Sequence, residues 1–192
     1  MLQKIKIFVS HRPEICSRLI RNGIFVNVNC GSTLFPDVHY KGVVGDNTGI
    51  NISEKGKFLN ELTVQYWAWK NFDLDYYGLC HYRRYLSFSN QMFPVLQWQC
   101  GDVGHVISER LCSSEIKKYC LKSKSKMVKI IKNYDIIYSD GIPIEYYDKA
   151  YGQNSITLCQ HWLDQPQLIP NDVFMRLLKL IENKYPHIYS CA

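Results

Sequence analysis

No run of apolar residues in this chain approaches the ~18 to 20 that a membrane-spanning helix needs. The opening Met-Leu-Gln-Lys-Ile-Lys-Ile-Phe-Val-Ser interrupts a short apolar run with lysines. It offers neither an h-region nor a small-residue cleavage site, which excludes a signal peptide and reads as a first strand. The eight cysteines contain no Cys-x-x-Cys pair, and spacings such as Cys112 to Cys120 are too scattered to suggest zinc. Cysteines without an export signal imply reduced thiols in the cytoplasm rather than a disulfide framework. Internal repeats, low-complexity tracts and composition shifts are also lacking, so one domain over residues 1–192 is expected, long enough to bury a core.

Aromatic residues are plentiful, with fourteen tyrosines and four tryptophans, which suit cores and ligand-stacking sites alike. The formal net charge is +6, consistent with phosphorylated ligands, nucleic acid or an anionic membrane surface. The one basic cluster, from Lys117 to Lys132, reads as a solvated helix face. No nucleic-acid motif accompanies it, so a nucleic-acid partner is not expected.

Period-2 and β-rich patterns predict strands at Lys4–Val9, Ile24–Asn29, Tyr76–Cys80 and Tyr134–Tyr138. A short helix is expected over Glu14–Asn22, stopped by Gly23, and the clearest helix over Phe58–Asn71, with Ser53 and Glu54 opening it. Its apolar stripe is read as Leu59, Leu62, Tyr66 and Trp69, and Trp67 and Trp69 suit either core or stacking. Ser113 or Ser114 is expected to cap a basic helix reaching Lys132. Further helices are expected over Tyr146–Tyr151, Asn154–Trp162 and Asp172–Tyr185, the last opened by Pro170-Asn171-Asp172. Residues 87–110 carry few periodic signals and read as an excursion. Strands alternating with helices make the chain α/β, with a Rossmann-like sheet as the default.

The informative unit is a helix, the acidic turn Asp73-Leu74-Asp75, an apolar strand, then His81-Tyr82-Arg83-Arg84-Tyr85. Ligands gather at the carboxyl ends of strands in open α/β sheets. Two adjacent arginines and a histidine there make a cationic site, since guanidinium groups bind phosphate oxygens bidentately and stay charged. Tyrosines on both sides, Tyr82 among them, would pack on a base or a sugar. The plainer alternative makes one arginine a surface residue, the other an ion-pair partner and His81 a satisfied core histidine.

Three ordered blocks carry a resemblance: Gly45-Asp46-Asn47-Thr48-Gly49-x-Asn51-Ile52-Ser53; then Glu61-Leu62-Thr63 with Tyr66-Trp67-Ala68-Trp69-Lys70-Asn71; then Gly78-Leu79-Cys80-His81-Tyr82-Arg83-Arg84-Tyr85. Together they resemble a family of capsular and exopolysaccharide biosynthesis glycosyltransferases long catalogued as a domain of unknown function. The likeness is dense over residues 40–86 and weaker at the first strand and at Tyr134-Asp135-Ile136-Ile137.

The resemblance implies a bacterial enzyme of the hexosyltransferase type. It would move a sugar from a nucleotide-sugar donor, a UDP-sugar, to a lipid-linked glycan, on an α/β Rossmann-like domain similar to the GT-A fold. Enzymes of that fold usually end the corresponding strand in Asp-x-Asp, which holds a divalent metal on the donor diphosphate. Here the strand ends in His81-Tyr82-Arg83-Arg84, so the resemblance implies that Arg83 and Arg84 supply the positive charge, with His81 donating a hydrogen bond or proton and no cofactor or metal required. Asp73 and Asp75 precede the strand and read as turn residues. Asp46, Asn47, Thr48, Gly49 and Asn51 are expected to line the donor pocket, His11 to touch the donor, and Tyr82 to pack on it; the alternative for the loop is a rigid structural turn. Glu61 is expected either at the ligand or tied to Arg83 or Arg84, and Asp140 near the acceptor. Ile50 stands where the family often has an acid.

Members of that family continue for several dozen residues beyond Ala192, which implies a chain cut short of part of its acceptor site. A cytoplasmic enzyme in peripheral contact with the inner membrane face is the resulting expectation. A non-catalytic or truncated module that binds a nucleotide sugar is the alternative.

Overall fold

The computed structural model describes residues 4–15, 17–89, 106–107, 111–138 and 171–189. Contacts divide the chain into two compact units, Met1–Ser139 and Asp140–Ala192.

The first unit is built on one six-stranded sheet of order β3-β2-β1-β4-β5-β6. Its strands are β1 (Ile5–His11), β2 (Phe25–Asn29), β3 (Val44–Gly45), β4 (Tyr76–His81), β5 (Arg84–Tyr85) and β6 (Val106–Ile107). The first four are parallel, and β4, β5 and β6 then pair antiparallel. The parallel order 3-2-1-4 reverses direction of growth between β1 and β4, which makes that boundary the topological switch point of a Rossmann-like sheet. The fold is thus α/β, as its alternating pattern predicts.

Alternation along β1 explains the two cores. Ile5, Ile7 and Val9 point to one face, where they join Phe25, Cys80, Tyr85, Leu121, Met127 and Ile131. Phe8 points to the other and meets Val28, Val64, Trp67 and Ala68. The first face is covered by α3 (Ser113–Lys118) and α4 (Lys124–Ile131), the second by α2 (Leu62–Asn71). On that second face Phe8, Trp67 and Phe72 meet edge to face at centroid distances of 5.1–6.1 Å.

Several expected elements take another form. Residues 17–22 are irregular rather than helical, because their polar groups are used at long range: Arg18 donates to the Leu111 carbonyl and Asn22 to that of Leu121. The helix expected over Phe58–Asn71 is two, α1 (Gly56–Leu59) and α2, divided by Asn60 at φ 44°. The inward stripe of α2 is Thr63, Val64, Trp67 and Ala68, while Leu62 and Trp69 face water at 53% and 62% exposure. The basic segment is likewise two helices separated by a turn with Cys120 at φ 57°, and the cap of α3 is Cys112, in a capping box with Glu115. Tyr134–Tyr138 forms no strand; Ile136 and Tyr138 are exposed at 73% and 77%.

The second unit contains α5 (Asn171–Lys184), starting where Pro170-Asn171-Asp172 predicts, and α6 (Pro186–Tyr189). Asp172 lies in the first turn of α5 and pairs with Arg176 at 3.1 Å. The helices expected over Tyr146–Tyr151 and Asn154–Trp162, and most of residues 87–110, lie outside the described residues. Among those described, no helix is long and apolar enough to cross a membrane.

One backbone contact seats the loops of the second face against each other. A Cβ on Gly56 would lie 2.5 Å from the Cα of Gly31, and main chain cannot swing aside as a side chain can. Gly56→Ala is therefore expected to cost ~3 kcal/mol, the upper end for overpacking, read as a lower urea midpoint at unchanged slope.

Candidate functional site

The carboxyl ends of β1, β2, β3 and β4 bring together His11, Asn29, the loop after Gly45, and His81-Tyr82. His81 pairs in register with Ser10 of β1 across the switch point, and the Tyr82 N–H donates to the Ser10 carbonyl at 3.0 Å. Beyond it the chain reverses in a tight hairpin, because His81 also pairs with Arg84 in β5. The two arginines therefore belong to a hairpin, not to a strand-to-helix loop.

His81 is ordered from three sides. Its Nδ1 accepts from the Arg83 N–H at 3.3 Å, which leaves the proton on Nε2, 3.4 Å from Oε1 of Glu61 at the start of α2. Its ring packs on Tyr82 at 4.2 Å between centroids, and the Arg83 guanidinium lies 5.2 Å from the Tyr82 ring. Burial pushes the imidazole down to about 4; Glu61 opposes this, while the charges of Arg84 and Arg83 and nearby His11 add to it. At neutral pH His81 is an uncharged hydrogen-bond donor. The expected tie of Glu61 to an arginine is thus a contact with His81.

His11 is 2% exposed at the end of β1. Asn27 Nδ2 donates to the Ile20 carbonyl, which fixes Asn27 Oδ1 as the acceptor facing His11 Nε2 at 3.0 Å. Nδ1 then accepts from the Ser17 hydroxyl at 2.6 Å, and burial lowers the ring's proton affinity. Beside it opens a pocket of about 260 Å³, lined among others by Ser17, Asn29, Tyr40 and Lys41. Asn29 is 5% exposed, and its Oδ1 has no hydrogen-bond partner among the described residues. A buried acceptor left open in a pocket wall is suited to a donor supplied by a ligand. Sequence reasoning did not single out Asn29. The signal was there, since Phe25-Val-Asn-Val-Asn29 places polar side chains on the same inward face as Phe25.

The loop after β3 turns its polar groups inward. Asp46 is fully buried, and its carboxylate accepts from four donors: the N–H groups of Gly31 (2.8 Å) and Ser32 (2.9 Å) and the hydroxyls of Ser53 and Thr63. Ser53 thus serves Asp46 and accepts from the Thr33 N–H instead of capping the following helix. Thr48 accepts through its carbonyl and hydroxyl from Trp67 Nε1, and Asn51 bridges Gly49 and Ser53. Gly49, at φ +56°, lies against Asn71, which bonds both the N–H and the carbonyl of Ile50. Asn47 is exposed. Asp46 is saturated by protein donors, and Thr48 and Asn51 also bond within the protein, so the loop braces the sheet against α2. Trp67 is core, whereas Trp69 is exposed with Lys70 Nζ 3.6 Å from its ring.

Asp73 and Asp75 tie down the other end of the sheet, receiving Lys4 Nζ at 3.0 Å and the Lys4 N–H at 2.7 Å. Among the described residues no three of His, Cys, Asp or Glu converge to hold a metal ion. At the strand ends the Asp46 carboxylate is saturated by protein donors and Glu61 faces His81. Asp140 lies outside the described residues.

The fold is of the glycosyltransferase type, similar to GT-A, as a likeness to a solved glycosyltransferase shows. A solved apo structure of the bifunctional glycosyltransferase WbbM matches 95% of this chain at TM-score 0.73 and 26% identity. The chain spans 30% of that protein. Residues 6–191 match the family described as Domain of unknown function (DUF4422), and the chain belongs to that family. No curated protein matches it.

Two outcomes are expected. Asp46→Ala strands four donors, those of Gly31, Ser53 and Thr63 buried, and should cost at least ~3 kcal/mol in urea unfolding. His81 protonates in the unfolded chain near 6.5 but only near 4 when folded. Its contribution to stability is therefore full above 6.5, lost as pH falls from 6.5 to 4, and level below. A His81→Gln variant should melt with a shallower pH dependence across that window, and the His81 ring signals should titrate near 4.

Proposed function

We propose that this chain is a glycosyltransferase that moves a hexose from a nucleotide-sugar donor, a UDP-sugar, to a lipid-linked glycan acceptor in capsule or exopolysaccharide synthesis. The observation that carries this reading is the cationic hairpin Tyr82-Arg83-Arg84, set where β1 and β4 part. The likeness of nearly the whole chain to part of WbbM supports it.

In this reading the nucleoside enters the pocket beside His11 and Asn29, and the diphosphate lies across the strand ends toward Arg83 and Arg84. Two guanidinium groups stabilise the negative charge that grows on a departing diphosphate, and they do so without a metal. Neutral His81 holds the hairpin to Glu61 through Nε2 and to the Arg83 N–H through Nδ1, which fixes where the guanidinium groups emerge. Asn29 Oδ1 accepts from a ring N–H such as the one uracil carries. The loop from Gly45 to Ser53 contributes rigidity to this edge. Acceptors on lipid carriers place the reaction at a membrane, at its cytoplasmic face.

Calorimetric titration with UDP-sugars in EDTA tests the reading. Arg83→Ala and Arg84→Ala should each weaken donor binding about 10- to 100-fold, the worth of a lost charge-assisted bond, with little change in melting temperature. Asn29→Ala should weaken it as well. Unchanged affinity in both arginine variants removes the diphosphate role. Binding without transfer would mark a nucleotide-sugar-binding module instead.

A further inference from the structure

The positive charge of this chain is concentrated in one segment. Seven lysines fall between Lys117 and Lys132, and no acidic residue occurs from Ile116 to Tyr134. Without those seven, sixteen basic residues would face seventeen acidic ones, so this segment accounts for the whole net charge. Helix α4 turns Met127 and Ile131 inward and leaves Lys124, Lys126 and Lys129 exposed, with Lys122 and Lys132 exposed at its ends. Lys122, Lys124, Lys129 and Lys132 line a shallow groove with Ser123 and Ser125. Immediately after it the chain holds Tyr134, Ile136 and Tyr138 in water at 57%, 73% and 77% exposure.

A merely solvated face explains the lysines but not the three large exposed side chains that follow them in the chain, the first of which, Tyr134, shares a cleft with Lys126 and Lys129. Polybasic charge next to exposed aromatic and aliphatic groups is the pattern of a surface that rests on a bilayer. The lysines meet anionic headgroups, and the apolar groups enter the interface. A nucleic acid would engage the lysines and leave Ile136 without an apolar partner. We infer that the α4 face, with the segment Tyr134–Tyr138, docks on an anionic lipid bilayer. This stands apart from the transfer reading, because docking needs neither donor nor acceptor.

The test is co-sedimentation of the full chain with phosphatidylcholine vesicles, with and without phosphatidylglycerol. The anionic vesicles should retain the protein, the neutral ones should not, and added salt should release it. Each exposed lysine near the surface is worth about fivefold in partitioning, so Lys124→Ala/Lys129→Ala should lose roughly 25-fold. Ile136→Ser should weaken retention that survives moderate salt. Both variants alter exposed positions, and circular dichroism checks that they fold. Equal retention by neutral vesicles, no retention by anionic ones, or indifference to the lysine pair would overturn the inference. So would displacement by double-stranded DNA at equal phosphate, which would assign the face to nucleic acid. A chain that docks on vesicles but ignores UDP-sugars would keep this inference and lose the other.

Discussion

The first unit depends on one buried carboxylate. Asp46 has no exposed surface, and each of its oxygens accepts two hydrogen bonds from the protein. The donors come from three places: the chain leaving β2, the turn before α1, and the first turn of α2. A charge removed from water persists only when its lone pairs are filled, so these segments must meet at one point. That meeting fixes the level of α2 along the sheet, and with it the position of Glu61, two residues before the Thr63 that reaches Asp46. Glu61 then stands beside His81, and the strand-end site inherits its geometry from a residue that contributes nothing to its surface.

The site is divided by the sheet. His11 and Asn29 share the face of Ile7 and Phe25, whereas His81 shares that of Phe8, since Ser10 and His81 pair in register. Tyr82 bridges the crest, its ring 4.2 Å from that of His81 and 6.4 Å from that of His11. The pocket beside His11 and Asn29 thus opens on one side of the crest, and Arg84, paired in register with His81, stands on the other.

Local patterns in the sequence were enough for β1, β2 and β4, whose alternation and composition agree with their surroundings, and for the strand-end position of His81-Tyr82-Arg83-Arg84. They failed where tertiary demands outweighed local ones. The bulkiest stripe of α2, Leu62, Tyr66 and Trp69, looks like a core face, yet the smaller set of Thr63, Val64, Trp67 and Ala68 is the one that fits close to the sheet. Residues 17–22 have no helical hydrogen bonds because their side chains answer carbonyls roughly a hundred residues away. Asp46 looked like a ligand residue because polar loops so often are, and no spacing rule shows that four protein donors already surround it. Asn29 was hidden for the opposite reason: within a strand it passed for one more polar residue.

The hairpin that carries Arg83 and Arg84 also limits how the edge can diversify. A strand running into a helix tolerates an extra residue, since the connecting loop absorbs it. Here β4 and β5 are held in antiparallel register on both sides of a two-residue turn, with β6 beyond. One inserted residue would invert the side on which every later side chain emerges, sending Tyr85 out of the core. Change at this edge therefore has to proceed by exchanging side chains at fixed length. The positions available for such exchange are the half-exposed ones, Arg83 and Arg84, rather than the buried tyrosines that flank them.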